Sequence, residues 1–323
     1  MIHRIPILRD FVLKHTIKKY EAFPELISIE ITNACNSRCI MCPRSQLTRK
    51  ICHMPLDLFK KIVDDCRRMP LKKINLFWFG DSLCNPAIID YMRHVRAALP
   101  GVKLYISTNA ELLTPERSDI ILSEKLLDVI NFDIDGVEKD VYEKIRVGVN
   151  FDRVIKNVEY FMNAKKKLGV KPPQTRVTII KMDLTANQID PFVTKWSKIA
   201  DKVDINDYNT WLGTQQERNV GGTRERSERG RFTYPCIHPW NELVIASDGN
   251  AGLCCLDYDL TVKLGNVHSK SVYDIWHGAK LKELRNELIN LNYNKIECCG
   301  KCNAYIYQDN STWAKLWRKQ IKL

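Results

Sequence analysis

Apolar residues in this chain gather in six short runs, and all but the last lead into a stretch with helical spacing. Leu26–Ile31 precedes Leu56–Arg68, Ile74–Phe79 precedes Ala87–Leu99, and Lys103–Thr108 precedes Pro115–Ser123. Val129–Asp135 leads into Lys139–Ile145 and Phe151–Leu168, Arg176–Lys181 leads into Gln188–Ile199, and Val203–Tyr208 closes the series. Short apolar runs alternating with helices predict parallel βαβ units with right-handed crossovers, so the fold class is α/β. Six units are fewer than the eight of a closed barrel. In such folds the chemistry sits at the carboxyl ends of the strands, which directs attention to the segments just after each run.

Beyond the sixth run the pattern breaks. Trp211–Arg231 carries four glycines and the mixed-charge run Arg224–Arg231, which marks a linker or loop; a basic lid over an anionic substrate is the sharper reading. The expected division is an N-terminal helical extension at 1–24, the α/β unit at 25–210, a linker at 211–235, a cysteine-bearing domain at 236–305 and a C-terminal helix at 306–323. Ile7, Leu8, Phe11, Val12 and Ile17 give the extension one apolar face, suited to packing on the domain or lying on a membrane surface. It lacks the apolar core and cleavage site of a secretory signal. No stretch approaches the roughly 20 apolar residues of a membrane span, so the expected location is the cytoplasm.

The net charge of +12 favours an anionic partner or substrate, and the absence of aromatic-studded basic repeats argues against nucleic acid. Twelve cysteines in a chain of 323 residues are too clustered for a disulfide scaffold and indicate metal. Cys35, Cys39 and Cys42 form C-x3-C-x2-C directly after the first run. Three soft thiolates on one loop suit an iron–sulfur cluster or zinc, but a tetrahedral zinc needs a fourth ligand that the spacing does not supply.

This motif resembles that of the radical S-adenosylmethionine (radical SAM) superfamily. There the iron left open by three cysteines chelates the methionine moiety, and one electron releases a 5'-deoxyadenosyl radical. The resemblance implies a partial (β/α)6 barrel, in agreement with the six units. Gly80-Asp81-Ser82-Leu83-Cys84-Asn85-Pro86 resembles the family's Gly-Glu-Pro-Leu-x-Asn-Pro, with Asp for Glu, and implies that Gly80 and Asp81 meet the cofactor's ammonium group. Ser107-Thr108-Asn109 and Asp133-Ile134-Asp135-Gly136 resemble segments that hold the cofactor, which implies the same for Ser107, Asn109 and Asp133. Arg146, in Tyr142-Glu-Lys-Ile-Arg146, is implied to lie near the methionyl carboxylate.

The tail is similar to the SPASM domain, an auxiliary-cluster module of the same superfamily. Cys236, Gly249 and Cys254 match its opening, and Cys299-Gly-Lys-Cys302 matches its later pair. The resemblance implies that Cys236, Cys254, Cys299 and Cys302 hold one auxiliary [4Fe–4S] cluster, the shortened "twitch" form, since no cysteine follows Cys302. Zinc is the alternative, and the choice between Cys298 and Cys299 stays open. Two [4Fe–4S] clusters and S-adenosylmethionine are therefore the expected cofactors, with an external electron donor such as flavodoxin or ferredoxin. The expected substrate is a small molecule, anionic or sugar-like, with a peptide as the alternative.

A cluster closed by four thiolates suits electron transfer. The leading expectation is therefore oxidation of a sugar or aminocyclitol alcohol, with Asp133, Asp135 or Asp207 as base. Epimerisation of a sugar or peptide residue, with Cys255 as hydrogen-atom donor, is the runner-up, and peptide maturation the third reading.

Overall fold

The computed structural model describes residues 22–215, 235–236, 238–300 and 302. Nearly all of the N-terminal extension, the charge run of the linker and the C-terminal helix lie outside the described residues. The six runs become β1 (Leu26–Ile29), β2 (Lys73–Asn75), β3 (Lys103–Thr108), β4 (Val129–Asp133), β5 (Gln174–Lys181) and β6 (Lys202–Asp207). All are parallel and neighbour one another in chain order. The helices between them are α1 (Leu56–Asp65), α2 (Ile88–Ala98), α3 (Pro115–Ser123), α4 (Lys139–Ile145), α5 (Phe151–Leu168) and α6 (Ile189–Trp196).

Period-two alternation sorts the strand residues. Ile27, Ile74, Leu104, Ile130 and Val177 pack in the apolar core with the helices. Their alternates Ser28, Asn75, Ser107, Asn131 and Thr178 are polar and bond to one another across neighbouring strands. Local chemistry sets the helix ends. Thr114 caps α3 ahead of Pro115, and Asn150 caps α5, which stops at left-handed Gly169 behind Lys165, Lys166 and Lys167.

β1 and β2 end earlier than their apolar runs. Glu30 N–H turns to Ile245 O (2.8 Å), and Ile31 O accepts from Met54 N–H (2.9 Å). The last apolar residues of each run thus serve the loops that shape the site. Arg38–Cys39 pairs antiparallel with Arg146–Val147, and nothing in the periodicity announces strands of two residues.

The cysteine-bearing tail is part of the same sheet. β7 (Glu242–Ile245) lies parallel against β1, and β8 (Asn250–Gly252) and β9 (Lys263–Asn266) continue the sheet antiparallel. The order is β9-β8-β7-β1-β2-β3-β4-β5-β6. Gly249 makes the β7–β8 turn possible: its φ is +83°, and a Cβ there would meet the His268 ring at 2.9 Å. Helices α7 (Val272–Trp276) and α8 (Ala279–Ile289) cover the tail, α7 being opened by a Ser271–Asp274 capping box. No helix among the described residues is long and apolar enough to cross a membrane.

Candidate active site

The carboxyl ends of the strands surround a cavity of about 640 Å³. Cys35, Cys39 and Cys42 line it together with Gly80, Asp81, Ser107, Asn109, Asp133 and Arg146, so five separate segments of the chain meet at one place. Ser37 Oγ lies 3.2 Å from the Sγ atoms of both Cys35 and Cys39, and Cys42 N–H turns back to Cys39 O (3.1 Å). Burial, with the neighbouring Cys39, pushes the Cys42 thiol up to about 12, and burial also raises Cys35. Three thiols crowded on one loop, with Cys35 and Cys42 disfavoured as bare thiolates, are a donor set that a soft cation completes.

Gly80 presses the loop after β2 onto the cysteine loop. Its φ is +94°, and a Cβ would stand 2.6 Å from Ala34 O. Asp81 N–H donates to that same carbonyl (3.0 Å). The Asp81 carboxylate is turned into the protein, where it accepts from Thr108 Oγ1 (2.9 Å), Asn109 N–H (2.8 Å) and Leu83 N–H (3.0 Å). Burial raises its pKa, against the pull of these donors. Asp81 thereby ties β2's loop to β3's. Asn109 Nδ2 donates to Asn36 Oδ1 (2.9 Å), which adds the cysteine loop to the same knot.

Asp133 occupies the barrel mouth. Ser107 Oγ (2.7 Å) and Asn131 Nδ2 (2.7 Å) donate to it, and Thr178 Oγ1 holds Asn131 from β5 (2.6 Å). Burial pushes Asp133 up to about 6, with Arg146 and Ser107 pulling the other way. Arg146 is pinned by Asp135 (Nε 2.8 Å and Nη2 2.6 Å), and its Nη1 lies 3.7 Å from Cys39 Sγ. Asp135 is fully buried and also accepts Ile180 N–H (2.7 Å), so it has no face toward the cavity. Asp207, at the end of β6, does line the cavity. Aromatic side chains line it as well: Phe77, Trp78, Phe79, Tyr208 and Trp211. Trp211 Nε1 donates to Met41 O (2.8 Å), and the Trp211 ring meets Phe79 at 5.3 Å. These aromatics follow no motif, and only their place after β2 and β6 hints at a role.

A second, small void in the tail is lined by Cys236, Cys254, Cys299 and Cys302, and Cys298 shares the wall. Cys302 N–H donates to Cys299 O (3.1 Å), and Cys298 Sγ lies 3.9 Å from Cys299 Sγ. Tyr293 Oη accepts Cys236 N–H (3.1 Å), and Leu212, Leu253 and Leu288 keep the surroundings apolar. Cys255 faces elsewhere: its thiol, His238 and the Glu242 carboxylate lie within 4.8 Å of one another, and it is not among the residues lining the large cavity. Cys66 bonds Ile62 O (3.1 Å) inside α1, and burial holds it as a thiol.

Residues 29–179 match the model of the radical SAM superfamily, and residues 236–303 match that of the SPASM iron–sulfur cluster-binding domain. The chain is a radical SAM enzyme. Its SPASM domain extends the nine-stranded sheet by way of β7. The radical SAM domain binds S-adenosylmethionine and a [4Fe–4S] cluster, and the SPASM domain provides for auxiliary iron–sulfur binding.

A tungsten-containing aldehyde ferredoxin oxidoreductase cofactor-modifying protein of Pyrococcus furiosus is 32% identical over 157 residues, 47% of this chain and 42% of that protein. The S-adenosyl-L-methionine-dependent 2-deoxy-scyllo-inosamine dehydrogenase of Niallia circulans is 20% identical over 86% of this chain and 92% of its own length. The chain spans about half the length of several curated relatives it matches. Among solved structures, BtrN in complex with AdoMet and 2-DOIA superposes with a TM-score of 0.60 at 17% identity, covering 87% of this chain and 93% of that one. Streptococcus suis SuiB bound to precursor peptide SuiA gives 0.68 at 15%, covering 84% and 69%. At such identities the likeness is one of fold.

Proposed function

We propose that the enzyme oxidises a secondary alcohol of a small sugar- or aminocyclitol-type substrate to a ketone. The observation that carries this reading is the tail void, where four cysteines at the expected spacing converge in apolar surroundings. A full set of four thiolates leaves a cluster no open iron for substrate, which suits it to accepting an electron. When bound, the cofactors supply a 5'-deoxyadenosyl radical that removes the carbinol hydrogen and an auxiliary cluster that receives the remaining electron. Cys35, Cys39 and Cys42 hold the first cluster, and Cys236, Cys254, Cys299 and Cys302 the second.

The rest falls to the chain's own side chains. The backbone around Gly80 and Asp81, with Ser107, Asn109 and Arg146, receives the methionyl end of the cofactor. Asp133 accepts the hydroxyl proton, since it faces the cavity and burial raises its pKa to about 6, within the range of general bases. Hydrogen atom, proton and electron together account for the change from carbinol to ketone. The aromatic side chains give a sugar ring an apolar face to stack on and exclude water. Cys255, turned to Glu242 and His238, is poorly placed to return hydrogen to a substrate radical, which weighs against epimerisation. The similarity to a 2-deoxy-scyllo-inosamine dehydrogenase supports the same class.

Oxygen-sensitive clusters and a cysteine-rich chain suit the reducing cytoplasm, where a flavodoxin or ferredoxin would supply the starting electron. The test is to incubate the reduced, reconstituted protein with candidate polyols in deuterated water. A ketone supports oxidation. Deuterium at an inverted carbon overturns it.

A further inference from the structure

A buried ion pair outside both cysteine sets joins the loops that carry them. Glu30, just past β1, is fully buried, and its carboxylate takes both terminal nitrogens of Arg49 at 2.8 Å. The same carboxylate accepts the Ser247 N–H (3.0 Å) and hydroxyl (2.9 Å) from the β7–β8 turn. Arg49 Nε donates to Tyr258 O (3.1 Å), and its guanidinium lies 4.8 Å from the centre of the Trp78 ring. Trp78 Nε1 in turn donates to Cys255 O (2.6 Å). Asp259 accepts from Thr48 N–H (2.8 Å), Thr48 Oγ1 (2.6 Å) and Arg49 N–H (3.3 Å). The arm downstream of Cys42, the loop leading to Gly80, and the loop of Cys254 and Cys255 therefore meet at one side chain.

A buried ion pair is poor value as plain stabilisation, since desolvation offsets most of its attraction. What a bidentate guanidinium–carboxylate pair supplies is direction. We infer that Arg49, held by Glu30, is the positioning residue that fixes the Cys254 loop against the Cys35–Cys42 loop and so sets the separation of the two clusters. The inference rests on the ligand assignment proposed above. It does not depend on what the substrate is, and the test uses none.

The experiment takes full-length Arg49→Lys, reconstituted anaerobically and reduced with dithionite. It reads iron per chain, amide hydrogen exchange over residues 254–260, and the spin-relaxation effect of one reduced cluster on the other. Lys keeps the charge and loses the fork. Iron should be retained, exchange over 254–260 should quicken by about tenfold, and the intercluster relaxation effect should change. Glu30→Gln keeps the shape of the carboxylate and removes the charge that holds the guanidinium, so it decides the matter if Arg49→Lys does not fold. Faster exchange with altered relaxation in either supports the inference. Unchanged exchange and relaxation across the variants overturns it, as does loss of iron without loosening of the loop. Failure of the oxidation reading would show only in the product and would leave these readouts untouched.

Discussion

Asp133 shows how one carboxylate acquires a task from its surroundings. Ser107 and Asn131 fix both its oxygens, and burial lifts its pKa to about 6. Only the ionised form accepts a proton, so kcat/KM should climb roughly tenfold per pH unit below about 6 and level off above it. Asp133→Asn removes the base and should lower product formation by about 10²–10⁴-fold while 5'-deoxyadenosine still forms. A flat pH profile, with full turnover in the variant, would shift the role to Asp207. Cys255→Ala is expected to make product, since its thiol is directed at Glu242 and away from the cavity. Loss of inversion with intact 5'-deoxyadenosine formation in that variant would promote epimerisation. Asp135 is the candidate base nearest Asp133 in sequence yet cannot serve, because past the end of β4 it is fully buried against Arg146 and the Ile180 N–H.

At the scale of elements, the loops after the strands matter more than the strands. Gly80→Ala forces a side chain into a left-handed turn and against Ala34 O, at a cost of about 1–3 kcal/mol. The variant should hold S-adenosylmethionine weakly, as read by calorimetry, and melt at a lower temperature. Replacing Cys35, Cys39 and Cys42 together with Ala should abolish 5'-deoxyadenosine formation and leave about four irons, those of the tail; anaerobic iron analysis checks it. The six parallel strands and the helices between them were legible because period-two and helical spacing repeat over enough residues to be seen, and α3, α4 and α5 keep their expected ends. The Arg38–Cys39 and Arg146–Val147 pairing was not, since two residues carry no period. The cysteines were legible by type and spacing. The Glu30–Arg49 knot was not, because its members stand 19 residues apart in no motif and only the fold brings them together.

For the whole molecule, the tail reads in sequence as a separate domain, yet β7 pairs with β1 along four registered residues. Periodicity finds a strand without saying which edge it joins, so this union was invisible before the fold. It has a consequence for stability. A chain ending at residue 235 would leave β1 an open edge, and Ser28 and Glu30 would lose their bonds to Glu242 and Ser247. Arg49 would keep Glu30 but lose Tyr258, and the apolar residues that pack against β1 from the tail, among them Leu243 and Ile245, would be gone. Small domains carry only about 5–15 kcal/mol of net stability, and an exposed edge, the loss of one hydrogen-bond partner each by Ser28 and Glu30, and a stripped core face consume much of it. The truncated chain should therefore aggregate or melt well below the full-length protein, even though it retains every βα unit and all three cysteines of the first motif. Size-exclusion chromatography and thermal circular dichroism of the two chains decide the point. A monomeric truncated chain with an unchanged melting temperature would mean that the barrel stands without the tail.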